Sequence, residues 1–297
     1  MSNGRIIALG YFDGVHMGHG GLLRKARSMA DEMGLVAAAV TFHPHPSALL
    51  CGTPVPLLTT DSDREYLMRS LYGMDEVLTL QFNKSLMTLP WEDFLTEVLL
   101  KRYNAAGLVC GHDFRFGYKG EGTAEKLQQF CAQKGMPCAV IEEIKLDGKT
   151  ASSTLIRSLI AEGNMDEALR FYGHPHLLTG KVMHGQHLGH TWGIPTANVP
   201  FPDGIAVPAY GVYATRVTVE GTEYIGVTNV GVHPTVEETK TPWSETWILD
   251  FDGSLYGKEL RIAFHHRIRE ERKFPRIADM IAEIKRNAEE AKAYFET

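Results

Sequence analysis

Cysteine is scarce: Cys51, Cys110, Cys131 and Cys138 are the only four in 297 residues, and no two form a CxxC pair. That usage points to a reducing compartment, the cytoplasm, and not to an exported scaffold. The thirteen histidines include no HExxH, and no Cys/His set carries zinc-ligand spacing, which speaks against a zinc hydrolase. No stretch approaches the ~20 apolar residues that span a bilayer. The longest candidate, LVAAAVTF at residues 35–42, stops at HPHP, and the N-terminus MSNGRIIALG lacks an apolar run with a basic flank, so no membrane role is expected. Positive charge is not in excess either. Thirty Lys and Arg against 36 Asp and Glu leave a net charge of −6, so no overall positive field exists to hold a nucleic-acid backbone. A phosphate ligand would have to be met by helix N-termini, a metal ion or single cations. A Walker loop is missing too: GSLYGKEL, residues 253–260, has the wrong glycine spacing and reads as a hairpin.

What remains is 44% hydrophobic and 22% charged, with mean hydropathy −0.16, as expected of a folded soluble protein. The length favours two domains. Up to about residue 174 the pattern is α/β. RIIALG and LVAAAVTF read as strands around a helix with apolar Leu22, Leu23, Ala26, Met29, Ala30 and Met33, stopped by Gly34. Helices are predicted over 61–72, 91–103 and 123–134, and AGLVCG and PCAVIEE read as strands, giving a doubly wound parallel sheet. Ser152 or Ser153 caps a helix ending near Gly163, and Asn164 caps another ending before Gly173. From Thr179 short alternating strands take over, with turn signals at Glu220-Gly221 and Asp252-Gly253, and a six-stranded type of β-barrel is the natural closure. A last helix carries Ile277, Met280, Ile281, Ile284, Ala288 and Ala291 on one face for packing across that barrel. The predicted domains are residues 1–174 and 175–297.

Chemistry concentrates where the first strand runs into the first helix, at GYFDGVHMGH, residues 10–19. Free N–H groups and the helix dipole favour an anion there, and Gly10, Gly14 and Gly18 let backbone approach a ligand. His16 and His19 could donate to oxygens whose charge grows during attack on a phosphoryl group. By themselves the same histidines could cap the helix or bind a metal. A second segment, ASSTLIR at 151–157, places Ser152, Ser153 and Thr154 at a helix start with Arg157 able to neutralise phosphate, or else is an ordinary capped helix. TFHPHP (41–46) and VCGHDFRFG (109–117) each follow an apolar strand, where α/β sheets bind ligands. Taken singly, His43, His45 and His112 read as structural.

In the second half, TGKVMHGQHLGHTWGIPTANV sets Gly180, Gly185, Gly189 and Gly193 around Pro195–Asn198. Thr196 and Asn198 offer the hard oxygen ligands that Mg2+ takes beside ATP phosphates, although Pro-Thr and Asn are also plain turn residues. GVYA (211–214), NVGVHPT (229–235), SETWILDF (244–251) and IREERKF (268–274) complete the series.

Together these segments resemble the prokaryotic bifunctional riboflavin kinase/FAD synthetases, a branch of the HxGH nucleotidyltransferases, across both halves of the chain. The resemblance implies an enzyme that phosphorylates riboflavin to FMN in the barrel and adenylylates FMN to FAD in the α/β half, using Mg-ATP. It implies that His16 and His19 contact ATP phosphates, helped by Gly10, Phe12, Asp13, Gly14, Gly18 and the turn of Ser152, Ser153, Thr154 and Arg157. His45, Gly111, Asp113 and Phe114 would lie near nucleotide or flavin. In the barrel Glu245 would be the general base for the riboflavin hydroxyl, Thr196 and Asn198 the metal ligands, and Gly185, Gly189, Pro195, Asn229 and Arg269 binding residues, with Glu271 and Phe274 also matching. Riboflavin, FMN, ATP and FAD are then its small-molecule partners, and it would act in the cytoplasm as a monomer or weak homo-oligomer without nucleic acid. Four positions depart from the family pattern: Gly120, Leu155, His190 and Trp247. They motivate the alternative that one activity alone survives and the other domain only holds flavin. A noncatalytic flavin or nucleotide sensor is the reading from a different class.

Overall fold

The computed structural model describes residues 4–46, 49, 55–183, 193–232 and 241–296; Gly185, Gly189 and His190 lie outside them. The chain divides into two compact units, one of residues 1–55 and 61–152, the other of residues 56–60 and 153–297.

The first unit is a five-stranded parallel sheet in the order β3-β2-β1-β4-β5, from β1 (Arg5–Leu9), β2 (Val36–His43), β3 (Glu76–Gln81), β4 (Ala105–Gly111) and β5 (Cys138–Ile141). The apolar runs that suggested strands form its centre: Ile6 to Leu9 and Ala37 to Val40 are fully buried because helices cover both faces. Between β1 and β2, α1 (Met17–Met33) buries Leu22, Leu23, Ala26, Met29 and Ala30 and ends at Gly34, whose φ of 64° is the left-handed stop that glycine adopts freely. The predicted helix over 61–72 is present with those bounds as α2 (Asp61–Tyr72). Two elements differ from the sequence reading. The polar edge strand β3 was not predicted, since EVLTLQ offers no continuous apolar run. The helix expected over 91–103 is α-helical only as the short α3 (Trp91–Asp93), and Phe94–Arg102 is wound more widely, as a π-helix closed by Tyr103 N–H to Val98 O at 3.1 Å. The wider turn puts Phe94, Leu95 and Leu99 together in the core. α4 (Ala124–Lys134), capped by Thr123, completes this unit.

The second unit holds α5 (Ser153–Glu162) and α6 (Met165–Tyr172), then a six-stranded antiparallel sheet and a final helix. Its strands are β6 (His176–Lys181), β7 (Thr196–Pro200), β8 (Gly211–Val219), β9 (Thr222–Val232), β10 (Pro242–Ile248) and β11 (Glu259–Glu270), in the order β6-β11-β8-β9-β10-β7. The sheet curls until its two edges approach, with Met183 bridged to Asn198. Inside run the buried hydroxyls Thr215···Thr228 (2.8 Å) and Thr228···Thr246 (3.0 Å), which satisfy one another where no water reaches. Glu220-Gly221 makes the β8–β9 hairpin, both residues having positive φ, as a tight turn of this hand requires. Asp252-Gly253 and GSLYGKEL do not form a hairpin: β11 pairs with β8 and β6, not with β10, so this segment must cross the end of the sheet.

The closing helix α7 (Ile277–Glu296) packs against Val212, Val227 and Leu249 through Ala288 and Ala291. Its predicted apolar face is corrected in the first turns: Ile277 is exposed, and the buried residues include Glu283 and Asn287. Arg269, Arg272 and Arg286 surround the Glu283 carboxylate, and although burial opposes it Arg272 and Arg286 hold its pKa below the usual range, so a charge can occupy a position the helical pattern assigned to apolar groups.

His176 is buried between Tyr172 Oη (3.3 Å) and Ala206 O (3.2 Å), and burial pushes its pKa down to about 4. Its neutral form is favoured in the folded state, so this stabilisation is fully present above the unfolded pKa of ~6.5 and is lost as pH falls toward 4, by roughly 3 kcal/mol. Urea unfolding followed from pH 7 to pH 4 should therefore lose less stability in His176→Gln than in the parent; equal losses would contradict this account.

Candidate active sites

In the first unit the turn after β1 carries the histidine pair. Phe12 (φ 60°), Gly14 (φ 77°) and Val15 (φ 45°) are all left-handed, a sharp reversal that aims the start of α1 back at the carboxyl end of the sheet. His16 is the N-cap of α1, its backbone oxygen accepting from Gly20 N–H at 2.9 Å and its side chain making no capping bond. The His16 and His19 rings stack at 3.7 Å, and Phe12 sits edge-on to His19 at 5.3 Å. A Cβ on Gly18 would come within 3.0 Å of the His16 ring and 3.1 Å of Ala151 O, so only glycine lets both approach without displacement. The segment leading to Ser152 thus borders the turn.

His19 Nδ1 is buried without a hydrogen-bond partner. Burial, helped by His16 and Arg64, lowers the His19 pKa well below 6.5, so near neutral pH the ring is uncharged and can give one N–H without bringing positive charge. The loop after β2 joins this place: Thr41 Oγ1 donates to Tyr11 O at 2.7 Å, and His45 packs edge-on to Tyr11 at 4.1 Å. His43 instead pairs with Asp61. After β4, a Cβ on Gly111 would lie 3.1 Å from Asp113 Oδ1, and Phe114 stacks on Phe116 at 5.5 Å against the core. Ser153, Thr154 and Arg157 belong to the second unit, where Arg157 Nε donates to Pro56 O at 2.7 Å and Thr154 is exposed.

In the second unit the sheet register assembles what the sequence scatters. Asn198 on β7 lies opposite Glu245 on β10, Glu245 opposite Asn229 on β9, Asn229 opposite Val212 on β8, and Val212 opposite Arg269 on β11. Residues opposite one another share a face, and Thr196 and Asn198, two apart, share one too. Asn198 Oδ1 is buried without a hydrogen-bond partner. A Cβ on Gly231 would fall 2.8 Å from Glu271 Oε1 and 3.7 Å from Asn229 Nδ2, so Glu271 overhangs the Asn229 end of the row. Arg269 is held by α7, donating from Nε to Asn287 Oδ1 at 3.0 Å and lying 3.5 Å from Glu283.

Comparison with known proteins gives these two arrangements a common setting. The FAD synthetase profile matches residues 1–155 and the riboflavin kinase profile residues 172–295. The bifunctional riboflavin kinase/FMN adenylyltransferase of Bacillus subtilis is 35% identical over 98% of this chain and 92% of its own length. That of Pseudomonas fluorescens is 34% identical over 98% and 93%. The chain belongs to the bifunctional riboflavin kinase/FMN adenylyltransferase family. Both enzymatic domains of that family are present, and the protein is a bifunctional enzyme of flavin cofactor synthesis. A solved structure described as a macrolide-efflux protein from Streptococcus pneumoniae shares the fold, with TM-score 0.85 at 29% identity over 98% of this chain and 95% of that one. No helix among the described residues is long and apolar enough to cross a membrane.

The histidine turn falls in the part matched as FAD synthetase, and the Asn198–Glu245–Asn229 row in the part matched as riboflavin kinase. Sequence reasoning passed over Tyr11 and Arg64. The side chain of Arg64 is fully buried on α2, with its guanidinium 4.5 Å over the Tyr11 ring. A lone arginine in an amphipathic segment gives no signal of burial; only its contacts do.

Proposed function

We propose that the two reactions are divided between two domains, an adenylyltransferase at 1–174 and a kinase at 175–297, by the residues just placed. At the histidine turn, a phosphate oxygen of FMN attacks the α-phosphorus of ATP. The bond to the β-phosphate breaks, and pyrophosphate leaves with FAD formed. His16 and His19 donate hydrogen bonds to phosphoryl oxygens as charge shifts toward the leaving group, and no covalent enzyme intermediate is needed. Gly10, Phe12, Asp13, Gly14 and Gly18 shape the turn. His45, Gly111, Asp113, Phe114, Ser152, Ser153, Thr154 and Arg157 are the further nucleotide- and flavin-binding residues of this reading.

In the barrel, Glu245 accepts the proton of the riboflavin 5′-hydroxyl as that oxygen attacks the γ-phosphorus of ATP and ADP leaves. Asn229 flanks the base, Arg269 and Pro195 border the row, and Gly185 and Gly189 complete the binding set. Mg2+ would supply charge neutralisation at the ATP phosphates. Asn198 Oδ1, buried with no partner in the protein, and the Thr196 hydroxyl on the same strand suit a small hard cation. Among the described residues no three His, Cys, Asp or Glu side chains converge as a metal cage. Use of ATP and small flavins fits a cytoplasmic enzyme working as a monomer or weak homo-oligomer, without nucleic acid.

The observation that carries this reading is the row Asn198–Glu245–Asn229, where a carboxylate and an orphaned amide oxygen share one face in a unit separate from the histidine pair. Incubating the chain with riboflavin and Mg-ATP and resolving products over time should show FMN appearing first and FAD after it. A single new product would leave one activity only. Asn198→Ala should weaken Mg2+ binding by about 10- to 100-fold, the loss seen when even an outer-shell partner is removed. Because Oδ1 makes no hydrogen bond to lose, stability should move by less than about 1 kcal/mol. Manganese titration of the ATP complex checks the first claim and thermal unfolding the second; an unchanged metal affinity would remove Asn198 from the site.

A further inference from the structure

We propose that Arg64 is a phosphate-binding residue of the adenylyl-transfer site, its guanidinium gripping the β- and γ-phosphate oxygens that leave as pyrophosphate. This rests on the reading of the histidine turn as that site.

Arg64 stands in the first turn of α2 and is 1% exposed. Its Nη2 is paired with Asp61, whose carboxylate is shared with His43. Its Nε and Nη1 are buried with no partner in the protein. Burying charged donors without partners is costly, and an anion that accepts from Nε–H and Nη1–H would relieve that cost. The face of Tyr11, from the loop after β1, holds the guanidinium at 4.5 Å, and His45 from the loop after β2 buttresses the same ring. These contacts fix the arginine at the carboxyl end of the central strands, where parallel sheets bind nucleotides.

The charge balance points the same way. His19 is kept neutral by burial and by the fields of His16 and Arg64, so this imidazole brings a donor but no charge. A triphosphate needs positive charge from another source, and Arg64 is a buried cation close enough to depress the His19 pKa. Asp13 is also buried there, and Asp61 already occupies Nη2, so an anion would be met by the remaining Nε–H and Nη1–H groups. The two open donors, Nε–H and Nη1–H, lie on different edges of the planar guanidinium, each beside the Asp61-paired Nη2, so they can donate at fixed angles to separate phosphate oxygens, which a lysine cannot reproduce.

The test uses the full chain with Arg64→Lys and Arg64→Met. FAD formation from FMN should fall by about 10²- to 10³-fold in Arg64→Met, as when one transition-state donor is removed, and by less in Arg64→Lys. The KM for ATP and the inhibition constant of inorganic pyrophosphate should rise together while the KM for FMN stays in place. A merely structural loss would move all three. Riboflavin phosphorylation in the same preparations reports on the other unit, and thermal unfolding on the fold. If Arg64→Met fails to fold, Arg64→Lys decides. Folded variants with unchanged FAD formation and unchanged pyrophosphate inhibition would overturn the assignment of Arg64 alone. A parent chain that makes no FAD would remove the reading of the site itself.

Discussion

His16→Ala is expected to reduce FAD formation from FMN by about 10²-fold or more while leaving riboflavin phosphorylation near the parent rate, the loss expected when one preorganised donor is taken from a phosphoryl-transfer site. The helix should survive the change. His16 serves α1 through its backbone oxygen, which accepts from Gly20, and its side chain makes no capping bond. What alanine removes is the imidazole stacked at 3.7 Å on His19. The measurement is chromatography of FMN and FAD from two incubations, one with FMN and one with riboflavin, on the same folded preparation. If FAD formation persisted at the parent rate, the histidine turn would have no part in the reaction.

Glu245→Gln is expected to do the reverse. Riboflavin phosphorylation should fall by about 10²- to 10⁴-fold, the usual contribution of a general base, and FAD should still form when FMN is supplied. Glutamine keeps the size and hydrogen-bonding capacity of the residue, and it keeps the register with Asn198 and Asn229, so the sheet should be undisturbed. Either substitution abolishing both reactions in a folded chain would break the proposed division of labour between the two domains.

Much of this was legible from short segments, because caps and turns act over a few residues. Gly34 ends α1 and Asn164 caps α6 by accepting from Glu167 N–H, both as read from the sequence. The edge strand β3 escaped because its pattern is half polar; part of what fixes it is Arg5, whose guanidinium takes both oxygens of Glu76 from 71 positions away. The face of α7 escaped for a similar reason. Glu283 and Asn287 are buried only because Arg269 and Arg272, outside the helix, meet them there.

The sequence by itself pointed to the kind of chemistry in each half through short segments, GYFDGVHMGH in one and PTAN with SETWILDF in the other, that resemble a family's motifs. Such segments are local, so the chain alone displays them, and the roles of their residues are those proposed above. Tertiary structure alone decided which groups stand side by side. The pairing of Asn198 with Glu245 and Asn229 depends on strand register, and the burial of Arg64 against Tyr11 on helix packing, both settled by contacts between segments far apart in the chain.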